Sequence, residues 1–297
     1  GAGWAGAYAV LSGSPVAAVA MSLFAGGAVS DLEAFAMING TRMGASLIVL
    51  VVGLVSYLAG RRNPDGLYIG VVALVTAITL WAPAMPLGLF LLDRGWLDGV
   101  AIESPGALTS AVGAVSDPIV RPLDEALPRS LLVAAGILVL VAAFAVFDRG
   151  LPSLERPGPR LEAFSRLLQQ RFAMFGFGMA VTLVTLSVSL SVTILVPLAL
   201  KGYVRRDRVV PYVMGANIAT WVDTLLAALL LDSPRAFTIV LTQMLAGTAV
   251  SLFFLLVAYR PYTRFVLGVA HAASSRRRNL VAFTCCLLAA PAIFVLA

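Results

Sequence analysis

The stretch VVPYVMGANIATWVDT, residues 209–224, interrupts an apolar run with a glycine, an amide, hydroxyls and a carboxylate. It lies in a chain of 297 residues, of which 60% are hydrophobic and only 12% are charged. That composition provides too few charges to cover a soluble domain, and several apolar runs reach the roughly 20 residues that cross a bilayer as a helix. They lack the alternating pattern of an outer-membrane strand. We therefore predict an all-α polytopic protein of a cell membrane, either a bacterial inner membrane or a plasma membrane, with the lipid bilayer as its surroundings.

The distribution of charge argues against a nucleic-acid partner. The formal net charge is +6, but the basic residues form short clusters between apolar spans. In such positions Lys and Arg mark the cytoplasmic side and orient the helices. The two cysteines, Cys285 and Cys286, are adjacent in an apolar run and are expected only to pack.

Sliding the sequence against itself reveals a match at an offset of 175 positions, for example between Gly40 and Gly215. The segment that begins at Ser12 then aligns without a gap with the segment that begins at Ser187. The linking loop reads GGAVSDLE (26–33) in the first copy and KGYVRRDR (201–208) in the second. Because cytoplasmic loops concentrate Lys and Arg, we predict that the copies are inserted in opposite orientations, as in transporters with inverted-topology repeats.

This topology divides the chain into two repeats and a connection. A re-entrant helical hairpin is predicted in each repeat because the apolar stretch after Arg171 is basic at both flanks. The first repeat, 1–92, comprises a hairpin (4–28), a broken transmembrane helix (32–58) and a span (67–92). An extracellular loop (93–130) is followed by a connecting span and cytoplasmic amphipathic segment (131–171). The second repeat, 172–297, comprises a hairpin (172–200), a broken helix (208–230) and spans at 236–258 and 279–297.

The polar interruptions predict where a ligand binds. Gly-Thr-Arg at 40–42 and Gly-Ala-Asn at 215–217 favour a break in the helix. A break at membrane depth exposes amides that attract anions and carbonyls that attract cations. Serines at the two hairpin tips are expected to meet these breaks near the membrane centre. The alternative is that the small residues only allow close helix packing.

The second copy, with a serine-rich tip followed after about two dozen residues by GANIAT, resembles the repeat of the type II sodium/phosphate cotransporter family. The first copy is similar but more divergent, and together they cover roughly a third of the chain. In that family the tip hydroxyls and the asparagine-containing breaks form the phosphate and sodium sites. The resemblance therefore implies an oxyanion as substrate and sodium as coupling ion. By position it implies Ser12, Ser14, Thr41, Ser46, Ser187, Ser189, Ser191, Asn217 and Thr220 as site residues.

The chain also departs from the family pattern. Leu11 and Leu186 replace the tip glutamine, Pro15 stands where a hydroxyl is expected, and Arg42 replaces the first asparagine. A guanidinium at membrane depth is costly unless it is paired or hydrated, and its fork matches phosphate oxygens. Three alternatives remain open for Arg42: it binds the anion, it takes the place of a coupling cation, or it pairs structurally with Asp223 or a carbonyl.

The leading hypothesis is secondary active transport of inorganic phosphate or a similar oxyanion, coupled to sodium, by alternating access around a midplane site. A transporter or flippase of a phosphate-bearing lipid or organic phosphate is the runner-up, and a non-transporting membrane partner is a third reading. We expect neither an enzyme nor a resident cofactor, and a homo-oligomer is left open. Predicted substrate-binding residues are Ser12, Ser14, Thr41, Arg42, Ser187, Ser189, Asn217 and Thr220. Predicted cation-binding residues are Ser46, Ser191 and Asp223, of which the last could instead carry a proton or neutralise Arg42.

Overall fold

The structure is a computed structural model that describes a large part of the chain. The described residues are 1–47, 49–51, 65–100, 131, 169–188, 190–192, 195 and 204–296. Every regular element within these ranges is a helix. The greater part of the predicted loop 93–130 and of the predicted connection 131–171 lies outside them, as does Ser189.

Ten helices are described, and we number them in chain order. They are α1 (Ala2–Val10), α2 (Ser14–Ala25), α3 (Asp31–Ala45), α4 (Asp65–Asp93), α5 (Arg171–Thr185), α6 (Arg206–Ala219), α7 (Trp221–Leu230), α8 (Pro234–Leu256), α9 (Tyr259–Ser274) and α10 (Arg277–Leu296).

Four of the described segments are long and apolar enough to cross a membrane, which is compatible with a multi-pass membrane protein. They are Asp31–Val51, Leu67–Asp93, Arg206–Leu230 and Pro234–Leu256. A fifth is obtained if Tyr259–Ser274 and Arg278–Phe294 are counted together, although the chain bends there by 113°. Helix α4 is central, because α3, α6, α8 and α9 all pack against it.

The predicted positions of the helix breaks are wrong. Helix α3 continues through residues 40–42 and α6 continues through 215–217; the regular helix is interrupted only afterwards, at Ser46 and at Thr220. The glycines serve instead to bring helices together. A Cβ atom at Gly40 would lie 2.9 Å from the backbone nitrogen of Trp4, and one at Gly215 would overlap the carbonyl oxygen of Phe175. This is the packing use of glycine that is common between membrane helices.

Positions that are 175 residues apart in sequence have the same local geometry. Helix α1 ends at Leu11 with φ 56° and α5 ends at Leu186 with φ 48°, so both residues adopt the left-handed conformation. Helix α1 packs against α3 as α5 packs against α6. At equivalent positions of these pairs, a Cβ atom on Gly3 would overlap the carbonyl oxygen of Met37, and one on Gly178 would overlap that of Tyr212.

Candidate functional site

Arg42 is the centre of the candidate site. It lies in the last turn of α3 and is only 1% exposed. Its Nη1 donates a hydrogen bond to the hydroxyl of Thr220 (3.2 Å) and its Nη2 to that of Thr224 (2.7 Å). These partners lie at the interruption between α6 and α7 and one turn beyond it. A side chain of α3 therefore inserts into the polar interruption between α6 and α7.

Asp223 neutralises this arginine. Its Oδ1 lies 3.6 Å from Nη2 of Arg42, and its side chain is only 5% exposed. Thr224 links the two charges, because its hydroxyl accepts from Arg42 and donates to Oδ1 of Asp223 (2.8 Å). Burial of a single charge is costly, so the pairing makes both charges tolerable at this depth. Of the three alternatives for Arg42, the structure shows the pairing with Asp223.

Aromatic rings form one wall of the site. The guanidinium carbon of Arg42 lies 4.0 Å from the ring centroid of Trp221, which is a close cation–π contact. Trp81 of α4 contacts Trp221 edge to face at 5.4 Å and donates its indole N–H to Oδ1 of Asn217 (3.2 Å). The amide nitrogen of Asn217 donates to the carbonyl of Val213 (2.9 Å). Asn217 thus supports the aromatic wall.

Several buried polar atoms here have no hydrogen-bond partner within the part of the chain that the structure describes. They are Nε of Arg42, Nε1 of Trp221, Oγ of Ser46 and Oδ2 of Asp223. Two of the four can only donate and one can only accept. Orphaned buried polar groups are rare in folded proteins and are candidates for contact with a ligand or an ion.

The turn between α1 and α2 lies beside this cluster. A Cβ atom at Gly13 would lie 2.9 Å from the carbonyl oxygen of Thr41, so the turn packs directly on the backbone next to Arg42. Ser12 is half-buried and Ser14 is 8% exposed. The hydroxyl of Thr41 itself donates to the carbonyl of Ile38 (2.7 Å), which turns it back to its own helix.

The segment that follows α5 is engaged with α6. The hydroxyls of Ser191 and Tyr212 lie 2.9 Å apart, and the Tyr212 hydroxyl also donates to the Ser191 carbonyl (2.9 Å). The hydroxyl of Ser187 accepts from the backbone N–H of Leu190 (3.3 Å). Ser187 and Ser191 therefore have partners nearby in the sequence, whereas Ser189 lies outside the described residues.

A second buried polar pair lies one helical turn before Arg42. The amide of Gln243 on α8 donates to Oδ1 of Asn39, and both side chains are fully buried. Oε1 of Gln243 has no hydrogen-bond partner in the described ranges, and it lies 3.1 Å from where a Cβ of Gly88 would stand. This pair joins α3, α4 and α8 beside the site.

Sequence reasoning missed Thr224 and the role of Trp81. Thr224 follows Thr220 by four residues, a spacing that places two side chains on the same face of a helix. Its spacing could therefore have predicted that it shares the site with Thr220. Trp81 is separated from Asn217 by 136 positions and nothing in its own neighbourhood marks it.

With this geometry described, the chain can be compared with known proteins. No family model, no curated protein and no solved structure matches it.

Proposed function

We propose that this chain is a secondary active transporter of inorganic phosphate or a similar small oxyanion, working by alternating access around Arg42. The observation that carries the proposal is a fully buried guanidinium which reaches from one copy to the other and keeps one donor unpartnered within the described part of the chain. Ionisable residues inside membrane segments are expensive and most often mark a transport pathway.

The donor set around Arg42 favours an anion over a cation. The guanidinium, the indole N–H of Trp221 and the hydroxyls of Thr220 and Thr224 can all donate to oxyanion oxygens. Arginine binds phosphate oxygens through two parallel hydrogen bonds, and both of its terminal nitrogens now point at hydroxyls that a phosphate could replace. The aromatic wall excludes water on one side and strengthens these interactions.

Charge balance explains why transport would need a coupling cation. Arg42 and Asp223 neutralise each other, so an entering oxyanion would add uncompensated charge in a buried site. A cation on the carboxylate of Asp223 releases the guanidinium for the anion. The orphaned Oδ2 of Asp223 and the hydroxyl of Ser46 are oxygens that sodium can take as ligands. We propose sodium as that cation, with a proton on Asp223 as the alternative outcome of the test.

Alternating access requires two halves that can move relative to each other. The paired left-handed leucines and the paired glycine contacts support a duplicated unit, and the charge difference between the two linking loops supports opposite orientation. Helix α2 of the first copy packs on α7 of the second. We propose that this contact and the Arg42 cluster lie at the boundary where the inverted repeats move.

Uptake of radiolabelled phosphate into proteoliposomes, with imposed sodium or proton gradients, tests cargo and coupling together. The parent should accumulate phosphate with a sodium gradient. Arg42→Asn should abolish uptake or raise the phosphate concentration needed for half-maximal uptake, whereas Arg94→Gln, which removes an exposed arginine elsewhere, should not. A folded parent with no flux under either gradient would overturn transport, and unchanged sodium dependence in Arg42→Asn would show that Arg42 has not replaced a cation.

A non-transporting membrane partner is the second candidate function. It is favoured by the closed pairing of Arg42 with Asp223, which is what a purely structural arginine would show. Phosphate should then fail to raise the melting temperature of the purified protein, since a ligand that binds the folded state always stabilises it.

A further inference from the structure

A second feature of the molecule lies away from Arg42, where arginines from three helices converge. Tyr259, at the start of α9, is the meeting point: its hydroxyl accepts from Nη1 of Arg208 (2.8 Å), and the guanidinium carbon of Arg171 lies 5.2 Å from its ring centroid. Arg206 stacks 5.0 Å from the ring of Tyr68, near the start of α4. We call this group the basic end. Its arginines are Arg171, Arg205, Arg206, Arg208, Arg260 and Arg264.

The contacts that the structure describes at the basic end include one carboxylate, that of Asp207. Asp207 lies 3.2 Å from Nε of Arg205 and 3.7 Å from Nε of Arg208, and so pairs with both. Helix α9 contains no acidic residue, and the chain has none after Asp232. Arg260 and Arg264 are both exposed, one turn apart on the outer face of α9. An outward-facing cluster of this kind attracts anions.

The surroundings of the basic end are apolar. Helix α9 buries Tyr262 and Val266 on the face opposite to its arginines, while Phe265, beside Arg264, is 54% exposed. Phe172, next to Arg171, is 51% exposed. The chain bends by 113° after α9, so this helix runs across the direction of α10 instead of extending it. Charged and large apolar side chains that alternate on one exposed surface are typical of helices at the membrane interface.

We infer that the basic end binds the headgroups of anionic phospholipids, independently of any transported anion. The arginines bind the phosphate oxygens of the headgroup, and the exposed phenylalanines contact the region where the acyl chains begin. If these arginines served only to orient the helices in the membrane, their positive charge would be enough. The convergence of α5, α6 and α9 on one tyrosine would then not be needed. A soluble phosphate compound would gain nothing from the exposed phenylalanines, whereas a phospholipid would.

The test is to purify the protein from nanodiscs of phosphatidylcholine mixed with phosphatidylglycerol, and to measure the retained lipids by native mass spectrometry. The parent should retain phosphatidylglycerol in preference to phosphatidylcholine. Each of Arg260→Gln and Arg264→Gln should reduce that preference by about fivefold, the equivalent of one arginine near an anionic surface. Arg94→Gln is the matched control, because Arg94 lies at the opposite end of α4, roughly 40 Å from Tyr68 at the rise of a helix.

Three outcomes would overturn the inference. They are equal retention of the two lipids by the parent, an equal loss of preference in Arg94→Gln, and displacement of the retained lipid by millimolar inorganic phosphate. Both substituted arginines of α9 are exposed, so the variants should melt like the parent in phosphatidylcholine alone. Because the readout is bound lipid, a failure of phosphate uptake leaves this result unaffected.

Discussion

Replacing Arg42 with methionine is the sharpest test of the buried ion pair. Methionine keeps an apolar stem of similar length but leaves Asp223, which is 5% exposed, without its cation. Removing one partner of a buried ion pair costs about 3–5 kcal/mol, because the other charge stays buried. The hydrogen bonds to Thr220 and Thr224 add less, since bonds between membrane helices average about 0.6 kcal/mol. The uncompensated carboxylate therefore dominates the expected loss.

The double variant Arg42→Met/Asp223→Leu separates a charge effect from a packing effect. It removes both charges together, and exchanging a buried pair for apolar side chains is neutral or stabilising by about 1–4 kcal/mol. We therefore expect the double variant to unfold at or above the denaturant concentration of the parent, although Arg42→Met alone unfolds well below it. If the double variant is nevertheless inactive in phosphate uptake, the pair has a functional role that its stability does not require.

The assay is reversible unfolding in mixed micelles, followed by helical circular dichroism, for the parent, both single variants and the double variant. Asp93→Asn is the matched control, because it removes an exposed carboxylate at the end of α4. A loss under about 1 kcal/mol in Arg42→Met would refute burial of an uncompensated charge as the dominant cost. A double variant as unstable as the single one would show that the guanidinium stabilises the fold through its packing on Trp221 instead.

Three further outcomes follow from single contacts. Gly178→Ala should lower the free energy of unfolding by about 1–3 kcal/mol, because the new methyl overlaps the Tyr212 carbonyl. Gly176→Ala should not lower it, because a Cβ atom there would have nothing within 4 Å. The melting temperature checks both variants. Thr224→Val removes the hydroxyl that joins the two charges, and should cost about 1–3 kcal/mol in the same measurement. Arg235→Gln breaks ion pairs that are 39–53% exposed, so its effect should stay below about 1 kcal/mol and shrink with added salt.

Each of these expectations can fail separately. Equal melting temperatures for the two glycine variants would mean that α5 and α6 can separate without cost. A neutral Thr224→Val would mean that Arg42 and Asp223 contact each other without the hydroxyl. A large loss in Arg235→Gln that salt does not change would mean that this side chain stabilises by packing and not by charge.

The all-helical architecture, with helices long and apolar enough to span a membrane, could be predicted from the sequence because it depends on run length and composition, which are local properties. The internal repeat stays a prediction that rests on serines and glycines paired at one offset without a gap. The break positions could not be predicted. A glycine next to an asparagine looks the same in the sequence whether it ends a helix or lets a neighbouring helix come close. The contact that distinguishes these cases joins Gly215 to the carbonyl of Phe175, which is 40 residues away in sequence.

The candidate site was predictable to a similar extent. Two opposite charges inside apolar spans have strong physical reason to pair, so Arg42 and Asp223 could be proposed as partners from burial cost alone. The role of Thr224 in linking the two charges could not be predicted, because it depends on how α3 approaches α7. The aromatic wall required the approach of α4, and no pattern in residues 65–93 indicates which side of that helix faces the site.

Two positions that the 175-residue offset pairs are used differently, and this asymmetry bears on the proposed mechanism. Arg42 and Asn217 are 175 positions apart and therefore correspond. Asn217 has both its amide atoms engaged, with Trp81 and with the carbonyl of Val213, whereas Arg42 reaches Thr220 between α6 and α7. A duplicated unit with identical breaks would present two equivalent sites. If the chain transports an oxyanion as proposed, the single guanidinium of Arg42 would bind one anion per cycle, between α3 and the residues Thr220 and Thr224, and the coupling cation would neutralise Asp223.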